Sequence, residues 1–327
     1  MRFLIRRVIF YLITAWAAIT MNFLIPRLMP GNPVEILLSR FRGRLSPLAT
    51  QSLLELFGLN QHQSILTQYW HYWGQLFRGD LGTSFTYFPT PVLHVITQSL
   101  PWTAVLIGLT TIISFILGTV LGTVIGWRRG SKWLESLLPA TTFFSSIPYF
   151  WLALICVFVF SAHLNWFPLS GGYASNTSPG LTGTFLGSAI YHGLLPAITI
   201  VVSSVAGWIL GQRNMMVTTL SEDYVVMAEA KGLRDRRVMV AYAARNAILP
   251  QIASFAMSLG FVVSGAILVE IVFSYPGIGY VLYQAVSNED FPLMQGIFLV
   301  ITLAVLVANF LADLSYALLD PRTRQEG

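Results

Sequence analysis

The chain has 327 residues, 55% apolar and only 10% charged, where a soluble globular protein carries about 25% charged residues. Nineteen basic and fourteen acidic side chains cannot cover a soluble surface of this size, and none lies between Glu135 and Arg213, so a water-soluble enzyme is excluded. The single cysteine, Cys156, excludes a disulfide framework and a Cys-based zinc site, and a net charge of +5 on so apolar a chain points to a membrane before nucleic acid.

A helix crosses the ~30 Å hydrocarbon core with about 20 apolar residues. Six charge-free runs meet that length: residues 8–26, 101–127, 137–160, 191–212, 246–269 and 291–312. The first follows Arg2, Arg6 and Arg7 but is too long for a signal-peptide core and shows no small-residue cleavage site before Arg27, so it reads as a retained anchor. The third and fourth share one uncharged stretch, divided by residues 165–188, whose Gly, Ser, Thr and Pro content marks a loop. An all-α, polytopic membrane protein with six transmembrane helices is expected.

Charge sets the orientation. With the N-terminus inside, 14 of the 19 Lys and Arg residues fall on the cytoplasmic side. The other five, Arg27, Arg40, Arg42, Arg44 and Arg78, sit in or beside one outer segment. That segment exceeds about 60 residues, the length beyond which the charge rule weakens. Both termini are therefore expected in the cytoplasm. The organisation is one membrane domain over residues 1–327, with an extracytoplasmic insertion at 28–100 and a cytoplasmic loop at 213–247. Inside the insertion, Leu66, Tyr69, Trp70, Trp73, Leu76 and Phe77 recur at helical spacing, which predicts an amphipathic helix on the membrane surface or capping the bundle.

The cytoplasmic loop carries most of the information. Ser221 is its expected N-cap, with Glu222 and Asp223 in the first turn, where negative charge is favoured. Lys231 and Gly232 supply a last-turn cation and the glycine after it. A second helix starts near Asp235 and runs into the fifth span. The loop therefore reads as a short helix, a sharp glycine turn and another helix.

Three stretches here are specific: Asp223-Tyr224-Val225, then Ala228-Glu229-Ala230-Lys231-Gly232-Leu233, then Arg245-Asn246-Ala247-Ile248-Leu249-Pro250. Together they resemble the coupling loop of permease subunits of binding-protein-dependent ABC importers, most closely the peptide/nickel transport class. Where the general pattern of that family has Glu-Ala-Ala, this chain has Val226, Met227 and Ala228. Four further stretches resemble that class in order along the chain. They are Pro26-Arg-Leu-Met-Pro-Gly-Asn-Pro33, Arg78-Gly-Asp-Leu-Gly-Thr-Ser-Phe85, Ile271-Val-Phe-Ser-Tyr-Pro-Gly-Ile-Gly279, and the end of span six from Asp313 to Asp320-Pro321-Arg322.

The resemblance implies a type I ABC-importer-like permease fold in a bacterial or archaeal inner membrane. It implies a second homologous permease, two ATPase subunits and an extracytoplasmic substrate-binding protein as partners, beside the lipid bilayer and without nucleic acid. ATP and Mg would be bound by the ATPase subunits, so no cofactor and no catalytic residue is expected in this chain. The ATPase-coupling residues it implies are Asp223, Tyr224, Ala228, Glu229, Ala230, Lys231, Gly232, Arg245, Asn246 and Pro250. Peptides are the expected substrate, with oligosaccharides or nickel chelates as the alternative.

Other motifs are weighed against this reading. Leu169-Ser-Gly-Gly-Tyr173 mimics the signature of ABC ATPases. The topology places it outside the cell, and the chain contains no Gly-x-x-x-x-Gly-Lys-Ser/Thr loop, so its glycines are expected to form a turn. Gly118, Gly122 and Gly126, and likewise Gly207 and Gly211, have the spacing for close helix packing. Glu270 and Asp313 fall at span edges and read as helix-end or interfacial groups. The five histidines lie on the outer side without the i, i+4 pairing of a helical metal site. Trp127, Trp133, Trp151, Trp166 and Trp208 suggest an aromatic belt. A secondary transporter would need charged sites near the midplane, which the spans lack. A membrane enzyme would need a nucleophile–base or metal cluster, and none stands out.

Overall fold

The computed structural model describes residues 2–28, 64–128, 130–262 and 266–319. Among them every regular element is helical, apart from one isolated antiparallel bridge between Thr83 and Pro91. The main helices are α1 (Arg2–Leu28), α2 (Ile65–Phe77), α3 (Val92–Trp127), α4 (Lys132–Ser146), α5 (Tyr149–Cys156), α6 (Gly183–Thr219), α7 (Asp223–Ala230), α8 (Leu249–Gly260), α9 (Ile267–Val272), α10 (Ile278–Ser287) and α11 (Phe291–Leu319).

The expected all-α membrane architecture is present, but the six charge-free runs are used in three ways. Four give helices long and apolar enough to cross a membrane: Arg6–Leu24, Val92–Trp127, Gly183–Thr219 and Phe291–Phe310. The third run gives α4 and α5, bent by 92°. The bend falls at Ile147-Pro148, where Ile147 takes an extended conformation (ψ 125°), because a residue before proline is driven out of the helical region. The fifth run is split between α8, which stops at Gly260, and α9, which begins at Ile267. Two helices also exceed the runs expected of them. Helix α3 has 36 residues, about 54 Å at 1.5 Å per residue, so it extends beyond the hydrocarbon layer.

The principal contact is between α3 and α6, which run parallel. A Cβ at Gly118 would strike Trp208, one at Gly122 would meet Ile209 and Gln212, and one at Gly126 would meet Met216. The three glycines let the backbones approach, and close packing is what joins helices in lipid. Hydrogen bonds run along the same seam: Ser114 with Ser204 at 2.8 Å, and Gln212 Nε2 to Thr123 Oγ1 at 3.1 Å. The second glycine pair divides. A Cβ at Gly211 would strike Gln251, whereas Gly207 has nothing within 4 Å. Trp208 lies in this packing, edge-on to Phe115 at 5.3 Å, and is a packing residue rather than part of a belt.

Helix α1 is antiparallel to α11. Tyr11 meets Phe310 at 5.5 Å, and Asn22 and Gln295 exchange side-chain to backbone hydrogen bonds at 2.9 and 3.2 Å. Helix α8 returns against α3, α6 and α11, with Phe255 stacked on Phe115 at 4.3 Å, Gln251 at Gly211 and Gly260 against Ala308. The start of α1 and the end of α11 therefore lie at the same end of the bundle as the loop after α6. Helix α2 forms where the amphipathic pattern predicts, with Ser64 as N-cap accepting from Thr67 N. One face rests on α1 through Tyr69 Oη and Thr20 Oγ1 at 2.8 Å, while Leu66, Trp70 and Phe77 stay exposed on the other.

Candidate functional site

The loop after α6 folds as the sequence predicts, with one correction. Helix α7 is preceded by Glu222 as N-cap, without a side-chain cap bond, and Ser221 instead donates back to Thr218 O at 2.8 Å. Ser221 is displaced because α6 runs on to Thr219, so its hydroxyl closes the last turn of α6 rather than opening α7.

The other end of α7 closes as a Schellman motif. Gly232 has φ +70°, a conformation that only glycine adopts without strain. Gly232 N donates to Glu229 O at 2.8 Å and Leu233 N to Ala228 O at 3.4 Å. Leu233 then joins the apolar cluster of Met216, Val225, Ala228, Val238, Ala243 and Ala247. Val225 and Ala228, three residues apart, form the buried stripe of this short helix and fix it to the end of α6 and to the returning segment. The return begins as the short helix Asp235–Arg237, passes through a π-helical stretch at Val238–Ala244 and continues through Arg245–Ala247 toward α8.

The coupling residues named from sequence fall into two groups. Asp223, Tyr224, Glu229, Ala230, Lys231 and Gly232 form one exposed surface around the buried Ala228. Arg245, Asn246 and Pro250 are exposed on the return, with Asn246 Nδ2 bonded to Tyr242 O at 3.1 Å. Of the places where the family pattern has Glu-Ala-Ala, Val226 and Met227 are 52% and 61% exposed and Ala228 is buried. Large apolar side chains thus point outward from a charged element. Beside the turn is an open concavity of about 700 Å³ lined by Gly232, Leu233, Arg234, Arg236, Arg237 and Val240, among others.

The opposite end of the bundle holds two carboxylates whose importance sequence reasoning missed. Glu270, expected at a span edge, is fully buried. Its Oε1 accepts from Thr103 Oγ1 at 2.8 Å, and its Oε2 accepts from Gly279 N at 2.7 Å and Tyr280 N at 3.4 Å. It is a helix-end group as expected, but one that caps α10 from a different helix. Asp290, also fully buried, precedes α11. Its Oδ1 accepts from Leu293 N at 3.2 Å, and its Oδ2 accepts from Ser84 Oγ at 2.5 Å and Thr86 N at 2.7 Å. Asp290 before Phe291-Pro292 was a readable helix-start signal; the reach of Glu270 to α10 was not. Burial, then proximity to Tyr280 and Asp290, pushes the Tyr87 phenol above its ordinary value.

The stretches around these carboxylates acquire roles from them. In the Arg78–Phe85 stretch, Gly79 and Gly82 take positive φ and Asp80 Oδ1 accepts from Gly82 N, a turn that delivers Ser84 to Asp290. The signature look-alike at Leu169–Tyr173 is a packed turn, as expected. Gly171 N donates to Phe273 O at 2.9 Å, Gly172 abuts Pro276, and Tyr173 stacks on Trp102 at 5.9 Å. His94 pairs with Gln98, and His192 with the backbone of Ser188. His62, residues 29–33 and residues 320–322 lie outside the described residues, and so does the side chain of Asp313.

Long apolar helices, a glycine-packed parallel pair and an exposed helix–turn–helix between two of the bundle helices define a polytopic membrane protein. The chain belongs to the family of binding-protein-dependent transport system inner membrane components, which matches residues 118–325, and so is a multi-pass protein of the inner membrane. It is 34% identical to the di/tripeptide transport system permease protein DppB of Pseudomonas aeruginosa, over 99% of both chains. It is 30% identical to the oligopeptide transport system permease protein AppB of Bacillus subtilis, over 98% of both. With the dipeptide transport system permease protein DppB of Escherichia coli it shares 30% identity over 100% of this chain and 99% of the other.

Proposed function

We propose that this chain is the membrane-spanning permease subunit of an ATP-driven importer of oligopeptides or dipeptides. It pairs with a second permease, accepts solute from an extracytoplasmic binding protein and docks two ATPase subunits in the cytoplasm, where both of its termini lie. ATP and Mg belong to the ATPase subunits. The observation that carries this reading is the closed helix–turn–helix after α6. It is fixed to the bundle through Val225 and Ala228, while Tyr224, Val226 and Met227 face outward. Such an element transmits force as a rigid lever because its inner face cannot slip without exposing that apolar stripe.

ATP shifts the bundle between outward and inward access only by binding more tightly in one of the two states, through the contact made at residues 223–232. The peptide assignment follows the relatives, which are named for oligopeptides, di/tripeptides and dipeptides. The test is uptake of labelled di- and oligopeptides into proteoliposomes that hold the assembled complex, with binding protein outside and ATP inside. ATP-dependent peptide accumulation, competed by peptides and not by oligosaccharides, is the expected result. Accumulation of oligosaccharide instead would reject the peptide assignment.

A further inference from the structure

We propose that Glu270 and Thr103 form a clasp that makes α3, α9 and α10 one rigid body during the transport cycle, so that Glu270 is a positioning residue for access switching. The proposal rests on the importer reading above. Helix α10 begins at Ile278, and its N-cap, Gly277, offers no capping side chain. Its first three N–H groups have no intrahelical partner, as in any helix, and the clasp takes all of them. Gly279 N and Tyr280 N donate to Glu270 Oε2, and Ile278 N donates to Thr103 Oγ1 at 2.8 Å. The same Thr103 hydroxyl donates its proton to Glu270 Oε1, so one side chain on α3 serves both the carboxylate and the helix it caps.

Thr103 and Glu270 are both fully buried. Parting α10 from α9 would strip two N–H groups from the carboxylate, and parting either from α3 would leave the Thr103 hydroxyl, one carboxylate oxygen or the Ile278 N–H without its partner in an apolar layer, an arrangement strongly disfavoured. The site is also shaped to the carboxylate, since a Cβ on Gly277 or Gly279 would collide with it. The second carboxylate bounds the far end of α10: Asp290 N donates to Ala285 O at 2.8 Å while its side chain holds Ser84 and Thr86. Between these ends, Ile278, Val281 and Ala285 pack against Val92, Ile96 and Leu293. Helix α10 is therefore not a lid.

The experiment uses the assembled complex in nanodiscs. Spin labels replace the exposed Leu93 on α3 and Tyr283 on α10 in a Cys156→Ser background, and distances are measured with and without trapped ATP. The expected distribution is narrow and unchanged by ATP; a shifted maximum overturns the proposal. Thr103→Val should broaden that distribution without nucleotide and lower uptake at least tenfold, with insertion and basal ATP hydrolysis retained. Thr103→Ser, which keeps the bifunctional hydroxyl, should restore both. A Thr103→Val complex with wild-type distance width, or a Thr103→Ser complex as defective as Thr103→Val, overturns the clasp. Failure of the importer reading is separately visible as a wild-type complex that does not hydrolyse ATP in response to loaded binding protein.

Discussion

The two ends of the bundle solve the same problem, holding a short helix in place, by opposite means. At the end bearing α7, an eight-residue helix is closed by backbone geometry at Gly232 and by two small buried side chains, Val225 and Ala228. Its charged and large apolar groups are left free for another surface. At the other end, the ten-residue α10 is closed by buried carboxylate chemistry from a separate helix, and its inner face is sealed into the core. Helix α7 leaves its polar side chains exposed, whereas the first N–H groups of α10 are bound inside the core. The difference predicts which substitutions unfold the protein and which only disconnect it.

The largest effect is expected at the buried end. Glu270→Ala orphans the N–H groups of Gly279 and Tyr280 and leaves the Thr103 hydroxyl without its acceptor, each unsatisfied group costing about 1–3 kcal/mol. A drop in apparent Tm and weak membrane accumulation should follow, read by thermal unfolding in detergent; a wild-type Tm would break the comparison. Next is Gly122→Leu on the α3–α6 seam, where overpacking costs about 1–3 kcal/mol and the backbone of Ile209 cannot yield. Gly207→Ala, with nothing within 4 Å, should be close to neutral in the same assay.

At the α7 end, Gly232→Val forces a β-branched residue to φ +70°, a local cost of about 1–2 kcal/mol. Insertion and expression should stay near normal, while uptake and ATPase stimulation by loaded binding protein are lost. Asp223→Lys, on the exposed first turn, should weaken ATPase retention by a smaller factor, seen as subunit loss on purification. Retained stimulation in the Gly232→Val complex would show that the two ends do not divide the work in this way.

The sequence made the α7 end legible because its determinants are local. The glycine after Lys231, the acidic first turn and the start near Asp235 all lie within one short stretch. Only the cap moved, from Ser221 to Glu222, because helix α6 outlasted its charge-free core. The clasp end was not legible in the same way. Thr103 and Glu270 are separated by 167 positions, and nothing in periodicity links a threonine early in one span to a glutamate at the edge of another. The bend at Ile147-Pro148 was readable from the proline and was obscured by an uninterrupted apolar run. The same masking concealed the division of the fifth run between α8 and α9.

The central claim, that the surface of α7 is the power connection, is tested most directly by crosslinking from Met227, the most exposed large apolar side chain of that helix. A photoactivatable reagent on Met227→Cys, in the Cys156→Ser background, should capture an ATPase subunit in the assembled complex, and the adduct should have lost ATP-driven uptake. An adduct confined to lipid or to the second permease, or a complex that transports normally once crosslinked to the ATPase, would contradict it.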